Sequence, residues 1–348
     1  DLQKALPKPP PQSKLSKRRN RDFLCSGRKF PGTPFFTLLS MSSIQSLHVA
    51  VLAGGPGSER EVSLNSAKGV ASALEGRVGK VTLVDVKGPD FDLPLGTDLA
   101  FNVIHGTFGE DGQLQSEMER RGIPYTGARR LSSETAFDKA LSKQRFLEAG
   151  VITPASEVIH GSKTNEPPAS IGIPCVVKPP REGSSVGVHL VRTPEEWPAA
   201  FADAARFSED LLVEELISGK ELTVGIVGDL VLPVIHIQPR SGFYDISNKY
   251  PWMTGQGGTD YFCPADLPDA VTQSVQNEAL KAHRALGVEV YSRVDVLLRE
   301  SDAKPFVLEV NTIPGMTQSS LLPKAAGALG IDYTNLCLKI IELSLDFN

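Results

Sequence analysis

Two short stretches, Arg293-Val294-Asp295-Val296 and Leu308-Glu309-Val310-Asn311, alternate polar with apolar side chains. Read as strands, their period of two puts Arg293 and Asp295 on one face, and likewise Glu309 and Asn311. The intervening Val294, Val296, Leu308 and Val310 then turn to a core. Two acids and an amide beside such a core are costly to bury without a counter-charge. Oxygen donors with no His or Cys suit Mg²⁺, most often shared with substrate phosphates. A salt-bridge network built on Arg293 would satisfy the same residues without a metal.

The phosphate side of such a site has its own candidate. Lys178-Pro179-Pro180-Arg181-Glu182-Gly183-Ser184-Ser185-Val186-Gly187 joins two expected strands. Its glycines let the backbone approach a ligand, and its N–H and hydroxyl groups can cradle an anion. It is neither Gly-x-Gly-x-x-Gly nor a Walker A loop, and a tight hairpin is the plain alternative. Taken with the acidic strands it points to a nucleotide–metal site. Gly54-Gly55-Pro56-Gly57-Ser58-Glu59-Arg60-Glu61 closes a strand and opens a helix, at the strand edge where open α/β sheets bind ligands. Its glycine spacing is not that of a dinucleotide fingerprint. His105 also falls at a strand end, where a lone histidine is more often structural.

The elements that must position these residues follow an α/β rhythm. The apolar run 49–53 reads as a strand buried on both faces, and Ser58 with Glu61 reads as a capping box for a helix ending near Leu74. Strands are expected at 81–84 and 99–104, and this first unit ends near Gly127. A second unit opens with a helix over 138–149 closed by Gly150, then strands at 175–178 and 188–192. Thr193, Pro194 and Glu196 start its next helix, and 211–214 is its last strand. The third unit holds strands at 222–227, 230–237, 291–298 and 306–312, a helix over 268–286 and two closing helices within 320–346.

Composition bounds the rest. The chain has 348 residues, enough for two or three packed domains, and contains no apolar run long enough to span a bilayer. A net charge of −5 argues against a nucleic-acid binder working through a broad basic face. Four cysteines form no CxxC pair and no disulfide-dense framework, which points to a reducing cytosol and against structural zinc. Residues 1–40 differ: nine Lys/Arg stand against two Asp, with a Pro-rich run and little apolar periodicity. They read as a disordered basic tail or a non-native extension.

Together these motifs resemble the D-alanine–D-alanine ligases, from about residue 47 to 344. Residues 52–63 resemble the family's N-terminal signature, and His105-Gly106-Thr107-Phe108-Gly109-Glu110-Asp111-Gly112 its second. Residues 178–187, 293–295 and 309–317 are similar to its nucleotide, metal and substrate segments. The resemblance implies an α/β (α+β) chain with the ATP-grasp fold in three domains: 47–130 with the first D-alanine site, 131–219 and 220–346 closing over ATP. It implies that Lys139 and Lys178 contact phosphates beneath the Ser184-Ser185 loop. Glu214, Glu215 and Ile217 would hold adenine, and Glu221 the ribose. Asp295, Glu309 and Asn311 would bind two Mg²⁺ or Mn²⁺. Glu59 would bind the first D-alanine's ammonium, with His105 near its carboxylate. Arg293 and the Gly315 N–H would stabilise the oxyanion, and Ser320 and Leu321 would hold the second carboxylate. Lys249 and Tyr250 would belong to a closing loop within 241–261.

The implied activity is ligation of two D-alanines through a D-alanyl phosphate for peptidoglycan precursors, in a cytoplasmic enzyme that is a homodimer. Three alternatives compete: a ligase taking D-lactate or D-serine second, another ATP-grasp carboxylate–amine ligase, and a catalytically dead nucleotide binder. The last is expected to lack one of Arg293, Asp295, Glu309 or Asn311, and all four are present.

Overall fold

The computed structural model describes residues 44–160, 166–240, 248 and 258–347. The tail expectation and Lys249 and Tyr250 lie outside the described residues. No described helix is long and apolar enough to cross a membrane.

Three sheets organise the chain. The first is parallel, with β1 (His48–Gly54) between β2 (Lys80–Val86) and β3 (Leu99–Asn102). Every residue of β1 is buried, as a central strand of continuous Val, Ala and Leu must be. Strand β2 is the edge and alternates exposed with half-buried positions. β3 stops two residues short of the expected 104, where Asn102 turns back to bond the Ile104 N–H at 2.8 Å. Helix α1 (Arg60–Leu74) packs on this sheet through Val62, Ala67, Val70 and Leu74. The expected capping box is absent, because the helix begins one residue after Glu59 rather than after Ser58. Helices α2 (Gln113–Arg121) and α3 (Arg130–Phe137), both unanticipated, follow.

Helix α4 (Lys139–Glu148) is capped as expected: the Asp138 carboxylate accepts from the Ala140 and Leu141 N–H groups, and Gly150 past its end has φ +69°. The second sheet is antiparallel, ordered β4 (Ser156–His160), β7 (Asp210–Glu215), β5 (Cys175–Lys178), β6 (His189–Val191). Cys175, Val177, Val191 and Val213 turn one face of it onto Trp197 of α5 (Trp197–Ala204). Edge strand β4 was not foreseen, since its sequence is half polar.

The third sheet runs β11 (Thr259–Phe262), β10 (Ile235–Pro239), β8 (Gly219–Val227), β12 (Tyr291–Arg299), β13 (Pro305–Asn311), with β9 (Leu230–Val231) paired to β8. The expected continuous strand over 230–237 is broken into β9 and β10. Pro233 lies in the break, and proline cannot donate to a ladder. Helix α6 (Asp269–Ala285) covers one face through Val275, Ala279 and Ala282. Helices α7 (Leu321–Ala328) and α8 (Tyr333–Asp346) share a core with α1 and the first sheet.

His283 of α6 is buried and bonds Ser292 Oγ at 2.8 Å. Burial, with Arg284 adding to it and Asp229 opposing, pulls its imidazole down to about 4. The unfolded imidazole takes a proton from about 6.5 downward while the folded one resists, so the unfolded state binds more protons in that window. This contribution is intact above pH 6.5 and is lost as pH falls to 4, by about 3 kcal/mol. Urea unfolding at pH 7 and 4.5 should therefore show a smaller acid loss for His283→Gln than for the parent. Equal losses would show that His283 is not a source of acid sensitivity.

Candidate active site

The register of β12 with β13 builds the acidic face. Arg293 pairs with Asn311 and Asp295 with Glu309, so all four side chains share one side of the sheet. Asp295 is heavily engaged: Arg293 Nε and Nη2 reach its two oxygens at 3.0 and 2.8 Å. Thr223 on the neighbouring β8 donates to Asp295 Oδ1 at 2.6 Å, and Asn311 Nδ2 to Oδ2 at 3.1 Å. Glu309 lies 3.1 Å from the Lys139 ammonium. The salt-bridge reading of Arg293 is thus present in the structure, and the carboxylates are neutralised by cations rather than by one another.

Beside this face opens a cavity of about 780 Å³ between the second and third sheets. Lys139, Lys178, Ser184, Ser185, Glu214, Glu215, Ile217, Glu221, Asp295 and Glu309 all line it. Ten residues named from sequence therefore converge on one volume of nucleotide size. Lys139 Nζ also accepts placement from the Glu182 carbonyl, to which it donates at 2.8 Å. Ser184 and Ser185 have φ of +49° and +61°, a left-handed conformation that is strained for serine. Successive residues turned this way aim backbone N–H groups into a concavity suited to an anion.

At the cavity wall Glu214 is buried between two lysines, with Lys178 Nζ 2.7 Å from Oε2 and Lys143 Nζ 2.9 Å from Oε1. Burial alone would raise its carboxyl, but Lys178 and Lys143 outweigh that and hold it below the usual range.

Loops of the first sheet reach the same region. Ser184 Oγ donates to Glu59 Oε1 at 2.5 Å, tying the Ser184 loop to the start of α1. His105 Nδ1 donates to the Ile313 carbonyl at 2.8 Å and lies 3.8 Å from Glu110. Its buried Nε2 has no hydrogen-bond partner among the described residues. Burial opposes its protonation, but Glu110 and Glu59 prevail and raise its affinity for a proton. Burial raises Glu110 as well, helped by Glu59 and opposed by His105 and Arg293.

The loop after β13 is held against α1 by Ser66 Oγ, which accepts from the Met316 N–H at 3.3 Å, and by the Tyr333 hydroxyl on the Met316 carbonyl. Gly315 sits against Ser320, where an added Cβ would meet Oγ at 2.9 Å. Ser320 Oγ accepts the Thr317 N–H at 3.0 Å. The Leu321 side chain belongs to the core, so only its main-chain N–H, in the first turn of α7, is left for a ligand. Arg293, Asn311, Gly315, Glu59, His105, Ser320 and Leu321 do not line the cavity itself.

Three neighbours escaped the sequence reading. Lys143 follows Lys139 by one helical turn, a signal that was visible. Glu110 lies inside a quoted motif without a role. Thr223 carries no signal, because only sheet pairing brings it to Asp295.

Two antiparallel sheets around one such cavity, with an open parallel sheet supplying loops to its end, define the ATP-grasp class of ligase fold. A family model described as D-ala D-ala ligase C-terminus matches residues 150–342, and one described as D-ala D-ala ligase N-terminus matches 87–128. A D-alanine–D-alanine ligase of Methylacidiphilum infernorum is 46% identical over 298 residues, 85% of this chain and 95% of that protein. The crystal structure of the ligase of that name from Bacillus anthracis complexed with ATP superimposes with a TM-score of 0.73 at 31% identity, covering 87% of this chain and 98% of that one. A D-Ala:D-Ser ligase from Enterococcus faecalis gives 0.74 at 27% identity, covering 86% and 100%. The chain belongs to the D-alanine–D-alanine ligase family.

Asp138 Oδ1 caps α4 while its Oδ2 holds Arg181 of the 178–187 loop at 2.8 Å. Asp138→Ala is expected to cost about 1 kcal/mol and Asp138→Asn only a few tenths, since Asn still caps. Chemical denaturation measures both, and equal losses would assign the effect to Arg181 instead.

Proposed function

We propose that this chain joins two D-alanines in an ATP-dependent reaction, with residues 47–130 receiving the first, and 131–219 and 220–346 gripping the nucleotide. The observation that carries this reading is the one-sided quartet of Arg293, Asp295, Glu309 and Asn311 at the edge of a cavity walled by Lys139 and Lys178.

The donor set supports a hard divalent cation shared with phosphates. Two carboxylates and an amide offer oxygen only, and no three His, Cys, Asp or Glu converge among the described residues to cage an ion without a ligand's help. Asp295, Glu309 and Asn311 would hold Mg²⁺ or Mn²⁺, two ions by the family resemblance, offsetting charge on the transferred phosphoryl group. Lys139 and Lys178 would bind the phosphates, and the Ser184-Ser185 loop would cover them. Glu215, Ile217 and Glu221 would contact adenine and ribose beside Glu214. The missing segment of this picture, with Lys249 and Tyr250, lies outside the described residues.

Glu59 would orient the first D-alanine by its ammonium, with His105 beside its carboxylate. Transfer of the γ-phosphoryl to a carboxylate oxygen gives an acyl phosphate and ADP. The second D-alanine, its carboxylate at Ser320 and the Leu321 N–H, then attacks the acyl carbon through its amine. The new C–N bond forms, the acyl–oxygen bond breaks, inorganic phosphate leaves and the amine proton passes to solvent. Arg293 and the Gly315 N–H would meet the oxyanion as it develops. Water exclusion by the flap protects the acyl phosphate from hydrolysis. By the same resemblance the enzyme is a cytoplasmic homodimer.

D-Alanine, and not L-alanine, is expected to trigger ADP and phosphate release with dipeptide as product. Activity with neither would remove the assignment, and Asp295→Asn should lower kcat at least 100-fold. Tyr250 would extend the Ser184–Glu59 bond as a third hydroxyl or acid partner. If so, Tyr250→Phe should make depsipeptide from D-lactate near neutral pH, and product analysis showing dipeptide alone would refute that role.

A further inference from the structure

Lys143 is buried, charged and outside the cavity lining, and neither the family model nor the reaction scheme gives it a task. Its ammonium has three acceptors: Thr153 Oγ1 at 2.8 Å, the Pro154 carbonyl at 2.9 Å and Glu214 Oε1 at 2.9 Å. Three acceptors match the three donors of an ammonium, whereas a neutral amine has two. The group is therefore protonated, even though burial works against it.

Behind the cavity wall there are thus two ammonium groups on one carboxylate. Lys178 Nζ faces the cavity and takes Glu214 Oε2 at 2.7 Å. Were Glu214 paired with Lys178 alone, their charges would cancel, and the pair would present no net charge to an anion. With Lys143 present, one positive charge is left over. It falls to Lys178, because Lys143 is held among Thr153, Pro154 and Glu214 and does not reach the cavity.

We infer that Lys143 is a positioning residue that acts through Glu214: it balances the carboxylate from behind, so that the charge of Lys178 is left for the phosphates of the nucleotide. A purely structural Lys143 would fill space and bond Thr153 and Pro154, with no consequence for charge in the cavity. The two roles separate by charge arithmetic. Removing Lys143's charge should weaken nucleotide binding, and removing the Glu214 charge as well should give most of the binding back.

This inference rests on the nucleotide reading of the cavity, and direct binding keeps the two apart. Calorimetric titration of the full chain with ATP first establishes whether the parent binds; absence of binding would overturn the nucleotide reading and this inference with it. Given binding by the parent, Lys143→Gln, which retains donors for Thr153 and Pro154, should raise the ATP dissociation constant about tenfold. Steady-state rates should show the same rise in KM for ATP, with kcat and KM for D-alanine within about threefold, since the change does not touch the amino-acid site. The double variant Lys143→Gln with Glu214→Gln should recover most of the lost ATP affinity, a strongly non-additive cycle. It also leaves no unpaired buried carboxylate, so it reports even if the single variant does not fold. A double variant that binds ATP as weakly as the single one, or tenfold more weakly than the parent where the single variant is unfolded, would overturn the inference. So would a single variant that binds like the parent.

Discussion

Buried negative charge must be met by positive charge, and the arrangement of this site follows from that constraint. Asp295 and Glu214 are both nearly inaccessible, and Glu309 is only partly exposed. Each has a cation within 3.1 Å: Arg293, Lys178 with Lys143, and Lys139. Unpaired, any of these carboxylates would cost several kcal/mol or take up a proton. Helix α4 is the pivot of the arrangement. Its Lys139 reaches Glu309 on the third sheet and its Lys143, one turn later, reaches Glu214 on the second. One short helix, oriented by the Asp138 cap, therefore braces both walls of the cavity.

The same charges prepare the site for a ligand. In the absence of ligand the cations are satisfied by the carboxylates, so the cavity needs no bound ion to remain folded. A phosphate chain accompanied by divalent cations offers both sets of groups better partners at once: oxygens for the lysines and metal for the acids. Binding is then an exchange of partners rather than the creation of charge in a dry place. The first sheet enters through three tethers: Glu59 to Ser184, His105 to the Ile313 carbonyl and Ser66 to the Met316 N–H. These bring the loops expected to hold amino acids to the end of the nucleotide cavity. The left-handed Ser184 and Ser185 lie at the first of them, where backbone strain is held by the bond to Glu59.

Much of this was legible in the sequence because the signals are local. Period two placed Arg293, Asp295, Glu309 and Asn311 on one face, and the ladder of β12 with β13 agrees. The Asp138 cap, the Thr193-Pro194-Glu196 box and Gly150 each act within a few residues, and each is found. Where a neighbour could override local preference, the reading slipped. Ser58 gave way to Glu59 as the residue before α1, and Pro233 divided an apolar run into two strands.

The sequence alone determined which residue types face the chemistry and the α/β rhythm that carries them, since both depend on repeat distances along a strand or helix. The tertiary structure alone decided the partners: Thr223 on Asp295, Lys143 behind Glu214, Glu110 beside His105, and Ile313 opposite a histidine 208 residues away. Coulomb attraction and hydrogen bonding act across space and leave no spacing rule in the chain, so those pairings exist only once the sheets have met.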